Sequence, residues 1–168
     1  MRFLRCVLAT ALMSITPALA ALTGAALDPP ASLTEELHTL HEIRRVEKLP
    51  LVIQRGMFAG ANGGKSASED WKLAEPGGPW RATDIVIDPK LPSRRLLFAA
   101  CNLRFCILHY EHGGIGENER ILGLLKTGKN YKVIWDVVGF QVVGSLIDLQ
   151  YLVKNKTLTS FQPTQDAY

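Results

Sequence analysis

The fold is decided by the segment RRLLFAACNLRFCILHYEH, residues 94–112. It contains two apolar runs, Arg94–Cys101 and Phe105–His112, separated by only three residues. Two runs of this length around a short turn are typical of a β-hairpin. We therefore predict two neighbouring antiparallel strands, with the residues of each strand alternating between the two faces of a sheet.

The two cysteines of this segment lie on either side of the predicted turn. Antiparallel pairing brings Cys101 and Cys106 opposite each other, where their sulfur atoms come within bonding reach. Their C-x4-C spacing differs from the C-x-x-C of redox-active sites, so we predict a structural disulfide. Closing so short a loop is expected to add about 2 kcal/mol to the free energy of unfolding.

Three further strands are predicted on either side of this hairpin, at residues 80–87, 121–126 and 131–138. Residues 127–130, TGKN, form a tight connection between the last two. Because short connections join antiparallel neighbours, we predict a meander of about five strands without parallel pairs.

Helical spacing flanks the strands at both ends of the chain. Ser32 and Glu35 have the spacing of a capping box, which predicts an amphipathic helix over residues 32–48. Ser145 and Asp148 predict a second helix that ends near Asn155. The predicted fold is therefore α+β, with an N-terminal and a C-terminal helix packed on the sheet.

The domain boundaries follow from these elements. Residues 32–156 are predicted to form a single α+β domain. The flanking segments lack periodicity, so residues 21–31 are predicted to be a flexible lead-in and residues 157–168 a loosely held tail.

The N-terminus has the composition of a cleavable signal peptide. Arg2 and Arg5 precede an apolar run that ends near Thr16, well short of the ~20 residues that a membrane span needs. The sequence Ala-Leu-Ala at 18–20 offers small residues to a signal peptidase, so cleavage is expected before Ala21. We therefore predict a periplasmic or secreted protein without a stable membrane anchor.

The charge balance disfavours nucleic acid as a partner. The chain has 19 Lys and Arg against 16 Asp and Glu, and loss of Arg2 and Arg5 with residues 1–20 leaves a formal charge of +1. A nucleic-acid-binding domain concentrates positive charge on one face, and this sequence shows no such concentration. We expect the partner to be another envelope or secreted protein, and we expect no cofactor.

His109 and Glu111 are the candidate catalytic residues. They are two positions apart on one predicted strand, so they share a face, and a carboxylate beside an imidazole is suited to orient a general base. A metal site would need a third ligand. His38 and His41, predicted to share one face of the first helix, are with His109 the candidate metal ligands.

The candidate binding residues cluster around the end of the same strand. Arg94 and Arg95 are predicted to point to opposite faces, and one of them is expected to pair with Asp84, Asp88 or Glu111, or to receive an anion. The Gly-Gly turn after His112 is expected to let a ligand approach the backbone. The candidates are Trp80, Arg94, Arg95, Tyr110, His112, Gly113 and Gly114.

These observations favour a non-enzymatic binding module, for example an inhibitor or immunity-type protein that recognises another macromolecule. Two alternatives remain open at this point. One is a metal-assisted or His/Glu-dependent envelope enzyme centred on His109, and the other is a protein that binds a small apolar ligand between sheet and helix.

Overall fold

The computed structural model describes residues 28–56, 58–59, 71–85, 88–114, 118–139, 143–158 and 161–163. The predicted signal peptide and its cleavage site lie outside these ranges, as do residues 21–27 of the predicted lead-in and most of the predicted tail. None of the helices within these ranges is long and apolar enough to cross a membrane.

The described chain forms a mixed α+β fold around an antiparallel sheet, which confirms the predicted fold class at that level. The strands are β1 His41–Ile43, β2 Phe58–Ala59, β3 Leu73–Ala74, β4 Arg94–Cys101, β5 Phe105–His112, β6 Asn118–Thr127, β7 Asn130–Gly139 and β8 Phe161–Pro163. Their order is β1-β4-β5-β6-β7-β2, with β3 beside β4 and β8 beside β7. The four long strands, β4 to β7, form a meander, and the shorter strands pair with β4 and β7.

Three strand predictions need correction. Residues 80–85 form no regular strand, and Thr83 makes only an isolated bridge to Gly114; residues 86–87 lie outside the described part. Two short pairs, β2 with β7 and β3 with β4, are parallel, whereas none was predicted. Segments distant in the sequence supply these pairs, so local spacing does not reveal them. The third is β8, which pairs with β7 from within the predicted tail.

The predicted helix over residues 32–48 is wrong beyond Glu36. Helix α1 spans Ala31–Glu36 and is followed by a 3-10 turn and by β1, whose Glu42 pairs with Ala100 of β4. Strand pairing has therefore overridden the helical periodicity. The capping box is also wrong, because the residue before α1 is Pro30, and no side chain caps the helix.

Two other helices complete the described fold. They are α2, Leu51–Gln54, and α3, Leu146–Lys154. Ser145 caps α3 as predicted, because its hydroxyl accepts a hydrogen bond of 3.2 Å from the backbone N–H of Asp148. This side-chain bond satisfies one of the amides that a helix N-terminus leaves without a partner.

Buried clusters lie on both faces of the meander, as the alternation of its strands requires. We call the face that carries Phe105, Ile107 and His109 the first face, and the face that carries Leu108 and Tyr110 the second face. The first cluster includes Phe98, Ile107, Ile121 and Trp135 of the sheet with Leu33, Leu37, Leu146 and Leu149. The second includes Leu96, Leu108, Tyr110 and Val133 with Leu49, Ile53 and Trp71.

The predicted disulfide is confirmed. Cys101 and Cys106 are directly opposite in the β4–β5 hairpin, with their Cα atoms 4.1 Å apart.

Replacing both cysteines, Cys101→Ala with Cys106→Ala, is expected to lower the free energy of unfolding by about 2 kcal/mol, because the unfolded chain loses a covalent loop. Urea unfolding of the double variant and of the oxidised and reduced wild type checks this. A double variant as stable as the oxidised protein would contradict it.

Candidate functional site

Charged side chains collect where β4 and β6 begin and where β5 and β7 end. We call this region the sheet end. The register places Arg94 opposite His112 and Arg95 opposite Glu111 between β4 and β5. Asn118 and Glu119 of β6 lie opposite the same two residues from the other side. The hairpin that decides the fold therefore also brings the charges together.

Two β-bulges determine which of these charges meet. The β4–β5 register shifts by one residue between Leu96 and Phe98, and the β6–β7 register shifts between Gly123 and Leu124. A shift of one residue exchanges the faces of every side chain beyond it. Without the first shift, Arg95 would lie opposite His112, and without the second, Asp136 would lie opposite Ile121 on the first face. Bulges of this kind commonly redirect side chains beside functional sites.

Arg95 and Glu111 form an ion pair on the first face. The Arg95 Nη2 donates to Oε1 of Glu111 at 2.9 Å, and its Nε donates to Oε2. Glu111 is one of the three carboxylates that the sequence analysis named as partners for Arg94 or Arg95. The Trp80 indole lies against the same guanidinium, with Arg95 Cζ 5.0 Å from the ring centroid. Trp80 is half-buried and belongs to no strand.

His109 lies fully buried on the first face and pairs with Glu119. Its Nε2 is 2.9 Å from Oε2 of Glu119, whereas Glu111, its predicted partner, is held by Arg95. The ring also packs edge-on against Phe98, with centroids 5.2 Å apart. Among the described residues, none hydrogen-bonds to its Nδ1. Because no part of His109 is exposed, a substrate cannot contact it in this conformation.

The second face of the sheet end carries an aromatic and cationic group. The guanidinium of Arg94 lies over the ring of Trp71, 4.7 Å from its centroid, and its Nη1 donates to the hydroxyl of Ser93 at 3.2 Å. Burial raises the pKa of Tyr110, against the opposing effect of Arg120 and Arg94. The phenol is therefore neutral at neutral pH.

Arg120 and Asp136 form a second ion pair on this face. Arg120 Nε donates to Oδ1 at 2.8 Å, and Nη2 donates to Oδ2 at 2.6 Å. Only 11% of the Arg120 side chain and 8% of the Asp136 side chain are exposed. This two-point geometry suits a guanidinium and a carboxylate that are both withdrawn from water.

His112 lies beside these cations at the last position of β5. Loss of solvent contact, together with the positive charges of Arg94 and Arg120, lowers the pKa of His112 to about 4. The imidazole is therefore neutral at neutral pH. A cation at this position is disfavoured, first by burial and then by the neighbouring guanidinium groups.

The low pKa of His112 predicts a loss of stability in mild acid. Its ordinary pKa is 6.5, so between about pH 6.5 and pH 4 the unfolded chain binds more protons than the folded chain. The contribution of the neutral His112 side chain to the free energy of unfolding is complete above pH 6.5 and is lost as the pH falls toward 4. Urea midpoints measured across this window are expected to fall less steeply in His112→Gln than in the wild type. A His38→Gln control, at an exposed position, should keep the wild-type slope; equal slopes in all three proteins would contradict the prediction.

Of the two glycines after His112, Gly113 does not offer the ligand space that the sequence predicts, whereas a Cβ at Gly114 would meet no atom within 4 Å. A Cβ at Gly113 would lie 1.9 Å from the backbone oxygen of Arg81, so the protein's own chain occupies that space. Gly114 has φ +133° and donates its N–H to Ala82 at 3.3 Å. These glycines therefore allow residues 81–82 to pack against the sheet end.

The candidate metal ligands are not brought together. His38 is in the 3-10 turn and His41 is in β1, both exposed, so the predicted shared helix face does not exist. His109 is buried in the sheet. Within the described ranges, no three His, Cys, Asp or Glu side chains are grouped as ligands for a metal ion.

Four residues of the sheet end are absent from the sequence-based candidates: Asn118, Glu119, Arg120 and Asp136. The sequence could have indicated Asp136, because a charged residue stands there between two apolar ones, Trp135 and Val137, on a predicted strand. Its partner depends on the bulge in the β6–β7 pair, which the sequence does not reveal. Comparison with known proteins gave no matching family model, no matching curated protein and no matching solved structure.

Proposed function

We propose that this chain is an exported binding module that recognises another envelope or secreted protein, as an inhibitor or immunity-type protein does. The observation that carries the proposal is the stack of Trp80 on Arg95, with Arg95 held in turn by Glu111. Tryptophan and arginine are the residue types that most often dominate the energy of protein interfaces.

The stack is arranged before any partner binds. Two hydrogen bonds to Glu111 hold the guanidinium, and the guanidinium holds the indole, so little side-chain freedom remains to be lost on association. Ile85, which is 71% exposed, adds apolar surface in the same loop as Trp80. A partner would contact the aromatic side chain of Trp80 and the aliphatic side chain of Ile85, beside an Arg95 whose charge is already paired with Glu111.

The remaining parts of the proposal concern location and architecture. Export rests on the N-terminal sequence, and the disulfide is compatible with an oxidising compartment. We take α1 and α3 to cover the first face of the sheet, since both supply residues to its buried cluster. The second face is covered by the cluster that contains Leu49, Ile53 and Trp71, so the loop around Trp80 would remain for recognition.

Neither alternative function gains support from the site. The burial of His109 keeps it from a substrate, which does not favour a His/Glu-dependent enzyme. A groove of about 380 Å³ is bounded mainly by charged residues, which does not favour an apolar ligand. Its lining residues are Arg44, Arg45, Glu47, Glu75 and Pro76.

Affinity capture followed by a binding measurement tests the proposal. The full chain, with its own N-terminus and a C-terminal tag, is expressed in a bacterial host and incubated with envelope and culture-supernatant extracts. A stoichiometric protein partner is then purified and titrated by calorimetry against wild type, Trp80→Ala and Leu103→Ala. Leu103 is 91% exposed at the hairpin turn and serves as the matched control.

Trp80→Ala is expected to weaken binding at least about 30-fold, the loss of 2 kcal/mol typical of a dominant interface residue, and Leu103→Ala to leave it unchanged. A partner that binds both variants like the wild type would overturn the proposed surface. The intact mass of the exported chain tests the location, because cleavage as predicted leaves a chain that begins at Ala21.

A further inference from the structure

Two hairpin turns lie side by side at the end of the meander opposite to the sheet end. One joins β4 to β5, and the other joins β6 to β7. Because β5 pairs with β6, the two hairpins are neighbours, and the backbone N–H of Lys126 donates to the backbone oxygen of Arg104 at 2.8 Å. We call residues 102–104 and 126–130 together the hairpin tips.

The β4–β5 turn presents a leucine in a fixed position. The disulfide of the hairpin closes this turn. Inside it, the side-chain oxygen of Asn102 accepts hydrogen bonds from the backbone N–H groups of Arg104 at 2.8 Å and of Phe105 at 2.7 Å. Leu103 is 91% exposed, more than any other large hydrophobic residue in the described part of the chain. A side chain on so constrained a turn loses little backbone freedom when it enters an apolar environment.

Lysines accompany this leucine. Lys126 and Lys129 are exposed, and neither forms an ion pair with another residue in the described ranges. Arg104 is 3.7 Å from Glu36, so the charge of that arginine is already balanced. The strands behind the tips add no carboxylate, because residues 96–110 and 121–135 contain neither Asp nor Glu. The hairpin tips therefore combine one projecting aliphatic side chain with positive charge.

This combination favours a membrane surface over a protein partner. Leucine is under-represented among the residues that dominate the energy of protein interfaces, and lysine is depleted from those interfaces. A bilayer with anionic lipids suits both residue types, because its acyl chains accept the apolar side chain and its headgroups attract the ammonium groups. Lysine next to an exposed apolar side chain is thus better matched to lipid than to protein.

We propose that the hairpin tips bind reversibly to the surface of a bilayer that contains anionic phospholipids. Leu103 enters the boundary between headgroups and acyl chains, and Lys126 and Lys129 contact the headgroups. The tips are separated from the loop around Trp80 by the length of β5, about 25 Å. Membrane binding and recognition of a soluble partner therefore use opposite ends of the molecule, and either is possible without the other.

Co-sedimentation with vesicles tests the proposal. The full chain is expressed as for the capture experiment, recovered after export, and mixed with vesicles of phosphatidylcholine, with or without one-third phosphatidylglycerol. The wild type is expected to bind the vesicles with phosphatidylglycerol at least about tenfold more tightly, since two lysines near an anionic surface add that much or more. At about 1 M salt, where the Debye length is about 3 Å, this preference should disappear. Equal binding to both kinds of vesicle, or no binding to either, would overturn the proposal.

A double lysine variant assigns the charge contribution to the tips. Lys126→Gln with Lys129→Gln is expected to weaken binding to the anionic vesicles about 25-fold, because each cation near the surface contributes about fivefold. The matched control is Lys72→Gln with Lys90→Gln, which removes two exposed lysines from segments next to the sheet end and should leave binding unchanged. Wild-type binding by the tip variant would overturn the proposal.

Leu103→Ala tests the apolar contact. It is expected to weaken vesicle binding about tenfold, whereas Leu51→Ala, which shortens an exposed leucine of α2, should leave binding unchanged. Unchanged binding by Leu103→Ala would overturn the insertion of this side chain. Absence of vesicle binding, together with weaker binding of the captured partner by Leu103→Ala, would assign the tips to a protein interface and overturn the membrane proposal. Failure of Trp80→Ala to weaken that partner concerns only the proposed function.

Discussion

Trp71→Ala is expected to lower the free energy of unfolding by about 3 to 5 kcal/mol, the usual cost of removing a buried tryptophan. Trp71 joins several parts of the second cluster. Its indole N–H donates to the backbone oxygen of Ile53 at 3.0 Å, and its ring meets Tyr110 edge-on at 5.6 Å. Gly56, at φ +63°, lies so close that a Cβ there would be 2.2 Å from the indole. Urea unfolding measures the loss.

Two variants separate the contributions of Trp71. Trp71→Phe keeps a ring against Tyr110 and removes the indole N–H, so it should cost less than the alanine variant. Tyr151→Ala removes an exposed aromatic side chain from α3 and is the matched control, with an expected change within about 0.5 kcal/mol. Similar losses in Trp71→Ala and Tyr151→Ala would contradict the role given to Trp71.

Asp136→Ala is expected to destabilise the protein by about 3 to 5 kcal/mol, because it leaves the guanidinium of Arg120 buried without its carboxylate. The comparison is an exposed ion pair in the same protein, Arg45 and Glu47, with side chains 71% and 60% exposed. Solvent screens that pair, so Glu47→Ala is expected to change stability by less than about 1 kcal/mol. Chemical denaturation of both variants under one set of conditions checks the contrast.

The double variant Arg120→Met with Asp136→Leu gives the prediction a second test. Replacing both members of a buried ion pair by apolar side chains of similar size is often neutral, so this variant should recover most of the stability lost in Asp136→Ala. If the double variant were as unstable as the single one, the loss would come from altered packing. The loss of the Asp136 carboxylate from the guanidinium of Arg120 would then not be its cause.

Local sequence was sufficient for the hairpin and for the alternation of its faces. The runs around Cys101 and Cys106 specify two strands and a turn, and the disulfide follows from their direct opposition. The same alternation correctly separated His109 and Glu111 from Tyr110 and His112. Neighbouring residues determine these features, so no long-range information was needed.

Local sequence was insufficient where a distant segment competed with it. Leu33, Leu37 and Leu40 have helical spacing, yet the chain leaves α1 after Glu36 and continues into β1 beside β4. The edge of β4 could gain backbone hydrogen bonds only from a strand. That gain depends on the position of β4, which the periodicity of residues 32–48 does not contain.

The sequence by itself determined four of the five strands predicted for the meander, the disulfide and the presence of opposite charges near one end of the hairpin. Only the tertiary structure decided which charges pair: Arg95 with Glu111, His109 with Glu119 and Arg120 with Asp136. For the pairs of Arg95 and Arg120 the physical reason is a β-bulge in each case, since one extra residue in a strand moves every following side chain to the other face. His109 and Glu119 meet across β5 and β6, whose register is unbroken. A bulge is stabilised by the packing of the whole sheet, so the partners of these charges were set by that packing.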